Sequence, residues 1–253
     1  MQEVIGKVAL VTGASSGVGA AIVRLLVKHG MTVIGVARRL DRLENLSTEL
    51  KNESGQFHYR QVDMTKEEDI QAAFKFIKDK FSVMHVLVNN AGVLRFDTSL
   101  KDGSTESWRH QLDVNVTGVA IASREAVRLM KATNTDGFII NINSITGLHV
   151  AVPFGKYANI YPATKHAVTA MTEALRQELF NENVKIRVSS ICPGVIATDM
   201  FAGAIGTPLE KEFATDAPML LPEEVADTVL FLLTRPINVE VTQIIIKPRG
   251  EQA

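Results

Sequence analysis

Tyr161 and Lys165 stand four positions apart in a stretch whose apolar spacing is helical, so both side chains fall on one face, a turn apart. A tyrosine is a poor base near neutrality, with a pKa of about 10. A neighbouring ammonium stabilises the phenolate, and bringing that value near 7 takes about 4 kcal/mol of differential interaction. A phenol tuned in this way gives a proton to a forming alkoxide or removes one from an alcohol. Ser144, at the end of the preceding strand, can donate to the same substrate oxygen and hold it beside Tyr161. Singly, Lys165 also reads as a surface helix lysine and Ser144 as a strand-end turn residue.

A second cluster lies near the start of the chain. The run Thr12-Gly13-Ala14-Ser15-Ser16-Gly17-Val18-Gly19 separates a β-branched strand from an amphipathic helix, with the spacing GxxxGxG. Glycine there permits a tight turn and close backbone approach to a diphosphate, and the helix N-terminus adds unpaired N–H groups and positive potential. Gly13, Ser15, Ser16, Gly17, Val18 and Gly19 are therefore candidate cofactor contacts. About twenty residues on, a carboxylate would bind a ribose 2′-hydroxyl and repel a 2′-phosphate. That place holds Ala37 followed by Arg38 and Arg39, and guanidinium groups favour the phosphate, hence NADP(H). Arg38 is placed ahead of Arg39, either of which can instead be a solvated helix-start residue. Asp63 ends the third strand, where it can accept from an adenine amino group or cap the next helix. Asn90 and Gly92, within Asn89-Asn90-Ala91-Gly92 after the fourth strand, complete the expected adenosine pocket.

The elements that must position these residues alternate strand and helix. Strands are expected at Val8–Thr12, Thr32–Val36, Phe57–Val62, Val86–Val88, Phe138–Asn143, Ile186–Ile191 and Thr242–Ile246. Helices are expected over Ala20–His29, Leu43–Leu50, Ile70–Phe81, Trp108–Met130, Pro162–Phe180 and Pro222–Leu233. Sequential parallel strands need long right-handed returns, so this rhythm implies a Rossmann-like, doubly wound parallel β-sheet with helices on both faces. Its site belongs at the carboxyl ends of the strands. One domain over 1–253 is the simplest reading, with 197–221 a variable substrate-binding segment within it.

A net charge of −1 gives no reason to expect nucleic acid or an anionic membrane as partner. No run approaches membrane-spanning length and the start lacks an apolar leader core, so a soluble, cytoplasmic protein is expected. The single cysteine, Cys192, reads as a small buried hydrophobe, and no metal site is expected.

In order and spacing, the glycine turn, Asn89-Asn90-Ala91-Gly92, Asn115, Ser144, Tyr161-Pro162-Ala163-Thr164-Lys165 and Pro193-Gly194 resemble the short-chain dehydrogenase/reductase family over essentially the whole length. That resemblance implies a catalytic trio of Ser144, Tyr161 and Lys165, with Asn115 as fourth member. It implies that Asn115 binds a water in a proton relay through Lys165, which also holds the nicotinamide ribose. Pro193 and Gly194 would border the nicotinamide, and Thr198 would approach its amide or a phosphate.

The expected substrate wall comprises 148–159 and 199–219, and carries Leu148, Val150, Val152, Phe154, Tyr157, Met200, Phe201, Ile205, Leu209 and Phe213. This composition favours a small hydrophobic alcohol or carbonyl over a sugar phosphate. His149 lies near enough to touch such a substrate. The stretches Tyr161–Ala170 and Val241–Pro248 resemble the branch of arthropod NADP-dependent farnesol dehydrogenases and their vertebrate hydroxysteroid dehydrogenase relatives. The alternatives are a steroid or a small carbonyl or hydroxy-acid substrate, or a catalytically silent NADP(H)-binding regulator. The helices carrying Asn115 and Tyr161 are expected to pair with another subunit, giving a homo-oligomer, dimer or tetramer.

Overall fold

The first strand, β1 (Val8–Thr12), is buried at every position, as a parallel strand covered on both faces must be. It pairs with β2 (Thr32–Ala37) on one side and β4 (Val86–Asn89) on the other, both parallel. The full order is β3-β2-β1-β4-β5-β6-β7, with β3 at Gln56–Gln61, β5 at Gly137–Ile142, β6 at Ile186–Pro193 and β7 at Gln243–Ile246. The chain thus runs outward to β3 and then returns to start again beside β1. The switch between β1 and β4 opens a crevice at the carboxyl ends of the strands, where a ligand can enter. This computed structural model describes residues 4–95, 99–150, 160–200 and 218–251.

Helices cover both faces. α1 (Gly17–Lys28), α2 (Leu40–Glu49) and a C-terminal helix (Pro222–Leu233) bury Ile22, Leu26, Leu43, Val229 and Leu232 against one side of the sheet. α3 (Glu67–Phe81) and α5 (Gly118–Ala132) bury Ile70, Ile77, Ala122 and Met130 against the other. α6 (Tyr161–Asn181) joins that second layer through Leu179, which makes the C-terminal helix α7.

The seven expected strands and their parallel arrangement are present, with ends moved by a residue or two. The expected helix from Trp108 to Met130 is present as one helical run over 105–132 that contains a single wider turn. α4 (Thr105–Leu112) passes into a π-helical turn at Asp113–Thr117, which runs on into α5. No proline marks this turn; the close approach of Gly118 to Met64 does, since a Cβ at Gly118 would lie 2.7 Å from the Met64 carbonyl oxygen.

The segment 197–221 leaves and rejoins the sheet at one place. Ala197 donates its N–H to the Leu220 carbonyl at 2.9 Å, and Leu220 donates to Val195 at 2.8 Å. Both ends are therefore stitched beside the end of β6. Residues 201–217, with Phe201, Ile205, Leu209 and Phe213, lie outside the described residues, as do Val152, Phe154 and Tyr157. Among the described residues, no helix is long and apolar enough to cross a membrane, and no cluster of potential metal ligands occurs.

Candidate active site

One cleft runs along the carboxyl ends of the strands. It is lined by Gly13, Ser15, Ser16, Gly17 and Val18 from the first turn, Arg38 and Arg39 after β2, and Asp63 after β3. Asn90 and Gly92 follow β4, Ser144 follows β5, Tyr161 and Lys165 open α6, and Pro193, Gly194 and Thr198 follow β6. Of the catalytic and cofactor-binding residues expected from sequence, Gly19 and Asn115 do not line it.

The first turn is built for close approach. Gly13 has φ +69°, and a Cβ there would lie 2.9 Å from both the Ala91 Cα and the Asn90 amide nitrogen. Asn90 Nδ2 donates to the Thr12 carbonyl at 2.8 Å and more weakly to that of Gly13, while Thr12 Oγ1 accepts from the N–H groups of Asn90 and Ala91 at 3.0 Å. The Asn90 side chain therefore braces the glycine turn. Gly19 has the same kind of role, because a Cβ there would run into the Gly13 carbonyl and Asn90 Nδ2.

Arg39 reaches back onto this turn. Its Nη2 donates to Ser16 Oγ at 2.6 Å and Ser15 Oγ at 3.1 Å. Arg38 lines the cleft, and its carbonyl accepts from Gln61 Nε2 at 2.9 Å. Asp63 spends Oδ1 locally, accepting from Thr65 N at 3.0 Å and Thr65 Oγ1 at 2.9 Å in the turn ahead of α3, whose N-cap is Lys66. Burial opposes ionisation of Asp63, but the two Thr65 bonds and Arg38 outweigh it and hold the carboxyl below its ordinary value.

At the other end, Ser144 caps the short turn Ile145–Gly147. Its Oγ accepts from Thr146 N at 3.1 Å and from Thr146 Oγ1 at 2.9 Å. An oxygen already accepting twice has its own proton left to donate. Tyr161 is buried behind that opening. Burial pushes its phenol above the ordinary value, with a hydrogen bond to Ser144 pulling the other way. The expected lowering by Lys165 is absent in this geometry. Lys165 Nζ lies 5.7 Å from the Tyr161 ring centroid and donates to the Ile142 carbonyl at 3.0 Å. Burial also pulls Lys165 down to about 8, with Cys192 opposing.

Asn115 sits in the π-helical turn. Its Oδ1 accepts from Val93 N at 2.8 Å, and Nδ2 donates to Val93 O at 2.9 Å and Thr164 Oγ1 at 3.1 Å. Both amide protons are committed, and one acceptor position on Oδ1 remains. A Cβ at Gly92 would lie 3.5 Å from Asn115 Oδ1 and 3.9 Å from Lys165 Nζ, so the missing side chain leaves a small gap between the two.

Two further residues meet the site. Cys192 is fully buried, as expected, and burial pushes its thiol up. Glu251, which sequence reading missed, accepts from Val195 N at 3.1 Å, beside Pro193 and Gly194. Its other oxygen is buried without a partner among the described residues, against the bare Cα of Gly194. Burial raises its carboxyl above the usual range, against the charges of Lys247 and His149. His149 itself is exposed.

Comparison with known proteins agrees with this geometry. Residues 7–206 match the family model for short chain dehydrogenases. The chain is 44% identical to the farnesol dehydrogenase of Aedes aegypti, with all of both chains covered. It is 41% identical to the human dehydrogenase/reductase SDR family member 11, covering 96% of this chain and 94% of that one. Among solved structures, the alcohol dehydrogenase of Thermococcus sibiricus complexed with 5-hydroxy-NADP matches with a TM-score of 0.84 at 29% identity, over 98% of both chains. A serine dehydrogenase complexed with NADP+ matches with a TM-score of 0.86 at 29% identity, over 97% and 96%. With its sheet order, its glycine turn and these matches along the whole chain, the protein belongs to the short chain dehydrogenase family.

Proposed function

We propose that the chain is an oxidoreductase that transfers a hydride between NADP(H) and a small hydrophobic alcohol or carbonyl, a farnesol- or farnesal-like compound first, with Tyr161 as acid and base. The observation that carries this reading is the convergence of Ser144, Tyr161 and Lys165 on the cleft that the glycine turn and Arg39 also line.

The residues fit such a cofactor. The glycine turn and the start of α1 offer N–H groups to a diphosphate, and Arg39 with Ser15 and Ser16 offers a cationic, hydroxyl-rich corner to a 2′-phosphate. Arg39 is thus preferred to Arg38 for that contact. Pro193 and Gly194 line the cleft where the nicotinamide would lie, while Thr198 sets its methyl against Gly17 of the glycine turn. When bound, the nicotinamide supplies or accepts the hydride.

The chain's own residues handle the proton. Ser144, with its hydroxyl proton left to donate, would hold the substrate oxygen. Tyr161, kept protonated by burial, is set to donate to the oxygen of a carbonyl as it becomes an alkoxide. In the reverse direction Lys165 must favour the phenolate. The gap at Gly92, bordered by Asn115 Oδ1 and Lys165 Nζ, is the natural seat for a relay water.

Paired NADPH and NADH oxidation tests the reading, with farnesal, a ketosteroid, a small semialdehyde and an aromatic diketone as substrates. Turnover that prefers NADPH and favours the lipophilic carbonyls is expected. NADPH binding with no turnover in either direction would move the silent-regulator reading ahead. A homo-oligomer paired through α5 and α6 belongs to the same proposal. An apolar furrow between them is lined by Val119, Val127, Met171, Ala174 and Leu175, with Arg128 and Glu178 at its rim.

A further inference from the structure

Asp199 stands directly after Thr198, at the root of the segment expected to wall the substrate. Its Oδ2 lies 2.7 Å from Arg42 Nη1 and 3.8 Å from Arg39 Nη1. Arg39 in turn spends Nε and Nη2 on Ser15 and Ser16, so Nη1, its remaining outward nitrogen, is the one turned toward Asp199. One carboxylate therefore draws on the donors of two arginines at the corner where a 2′-phosphate would bind. The side chains are 44% exposed for each arginine and 61% for Asp199, so a solvated ligand can reach and exchange with this contact.

The local charge makes the arrangement consequential. Three guanidinium groups, Arg38, Arg39 and Arg42, crowd the start of α2, faced by the carboxylates Asp41 and Asp199. Burial first, and then repulsion from Arg42, hold Arg39 below the usual guanidinium value, while Asp199 acts to restore it. A counter-ion lowers that repulsion while no phosphate is present. The same counter-ion must compete with, and repel, a phosphate that arrives carrying a charge of about −2. The root of the segment is also held at the glycine turn itself, because a Cβ at Gly17 would lie 3.1 Å from the Thr198 methyl.

We infer that Asp199 is a specificity-determining residue: a built-in counter-anion that competes with the cofactor's 2′-phosphate for Arg39 and Arg42 and so sets how strongly phosphorylated cofactor is preferred over its unphosphorylated counterpart. The inference rests on the NADP(H) reading of this corner. It assigns Asp199 no contact with the reacting atoms. Its effect reaches the substrate side only because the carboxylate belongs to the root of that segment. The competition is electrostatic between partly exposed groups, so salt must weaken it.

Calorimetric titration with two probes, adenosine 2′,5′-bisphosphate and 5′-AMP, tests this without catalysis. Asp199→Asn keeps size and shape and removes the charge. It should bind the bisphosphate about 3- to 10-fold more tightly than wild type at low salt, with a gain that shrinks at high salt. Its affinity for 5′-AMP should move less than about 2-fold, because the monophosphate lacks the competing group. Arg42→Ala, which removes a phosphate partner and frees Asp199 to close on Arg39, should weaken bisphosphate binding. Equal changes for both probes, or no change in Asp199→Asn, would overturn the inference while leaving the cofactor reading intact. Failure of wild type to prefer the bisphosphate over 5′-AMP would instead reject the NADP(H) reading, and this inference with it.

Discussion

At the scale of single residues, the site holds its acid and its cation buried along the cleft, and both bear the consequence. Lys165 is pulled from 10.5 to about 8, so burying its ammonium costs about 3 kcal/mol of stability at neutral pH. Because its folded value lies below the unfolded one, that cost is full below pH 8. It fades as pH rises from 8 through 10.5, above which the lysine is neutral in both states. Lys165→Met should therefore be inactive yet more stable than wild type at pH 7. After about 1 kcal/mol is subtracted for the orphaned Ile142 carbonyl, the net gain is about 2 kcal/mol. Urea unfolding at pH 7 and pH 10 checks this, and the gap should narrow at the higher pH. Equal stability at both pH values would show that Lys165 is not charged and buried in the native state. That Tyr161, Lys165 and Ser144 share one cleft was legible from residue type and spacing. Their electrostatics were not, because the sign of the Tyr161 shift depends on burial and on a separation that no spacing in sequence reveals.

At the scale of elements, the ends of strands do the positioning, and their hidden partners are distant in sequence. β1 and its glycine turn could be read directly, since a β-branched run, a glycine cluster and an apolar 3.6-residue period follow one another. The wider turn between α4 and α5 could not, because no residue type marks Asp113–Thr117, and its close neighbour at Gly118, Met64, is distant in sequence. Glu251 escaped for a related reason: its partners Gly194 and Val195 lie more than fifty residues away, on another element. Gly194→Ala would drive a methyl group into the Glu251 carboxylate and displace it from the Val195 N–H. We expect a loss of about 1–2 kcal/mol in stability and a raised KM for cofactor. Glu251→Ala should make the glycine substitution nearly harmless, a non-additivity that a double-mutant cycle would detect. Fully additive losses would mean that the two residues do not meet. Gly19→Ala is expected to be more severe. Its Cβ would strike the Gly13 carbonyl, a backbone atom with little room to move, so cofactor binding should fall by about 10-fold or more.

For the whole molecule, the doubly wound parallel sheet was predictable from the β-α rhythm, and the structure gives it the order that opens between β1 and β4. Substrate identity was not predictable, because loop residues set it rather than the fold, and the wall expected over 148–159 and 199–219 lies largely outside the described residues. Assembly is a further whole-molecule property. Leu175→Arg, on the furrow between α5 and α6, should release monomers, which light scattering at micromolar concentration would detect. An unchanged mass for that variant, or a wild type that is already monomeric, would contradict pairing through this face.

The central claim is that Tyr161 passes the proton while the glycine turn and Arg39 hold the cofactor. The direct measurement is NADPH oxidation with the best carbonyl of the panel by wild type and Tyr161→Phe, alongside NADPH affinity for both. The account predicts that the variant keeps its NADPH affinity within about 3-fold while kcat falls by about 10³-fold. A variant that binds NADPH and still turns over within about 10-fold of wild type would contradict it, because the proton would then travel by a group other than Tyr161.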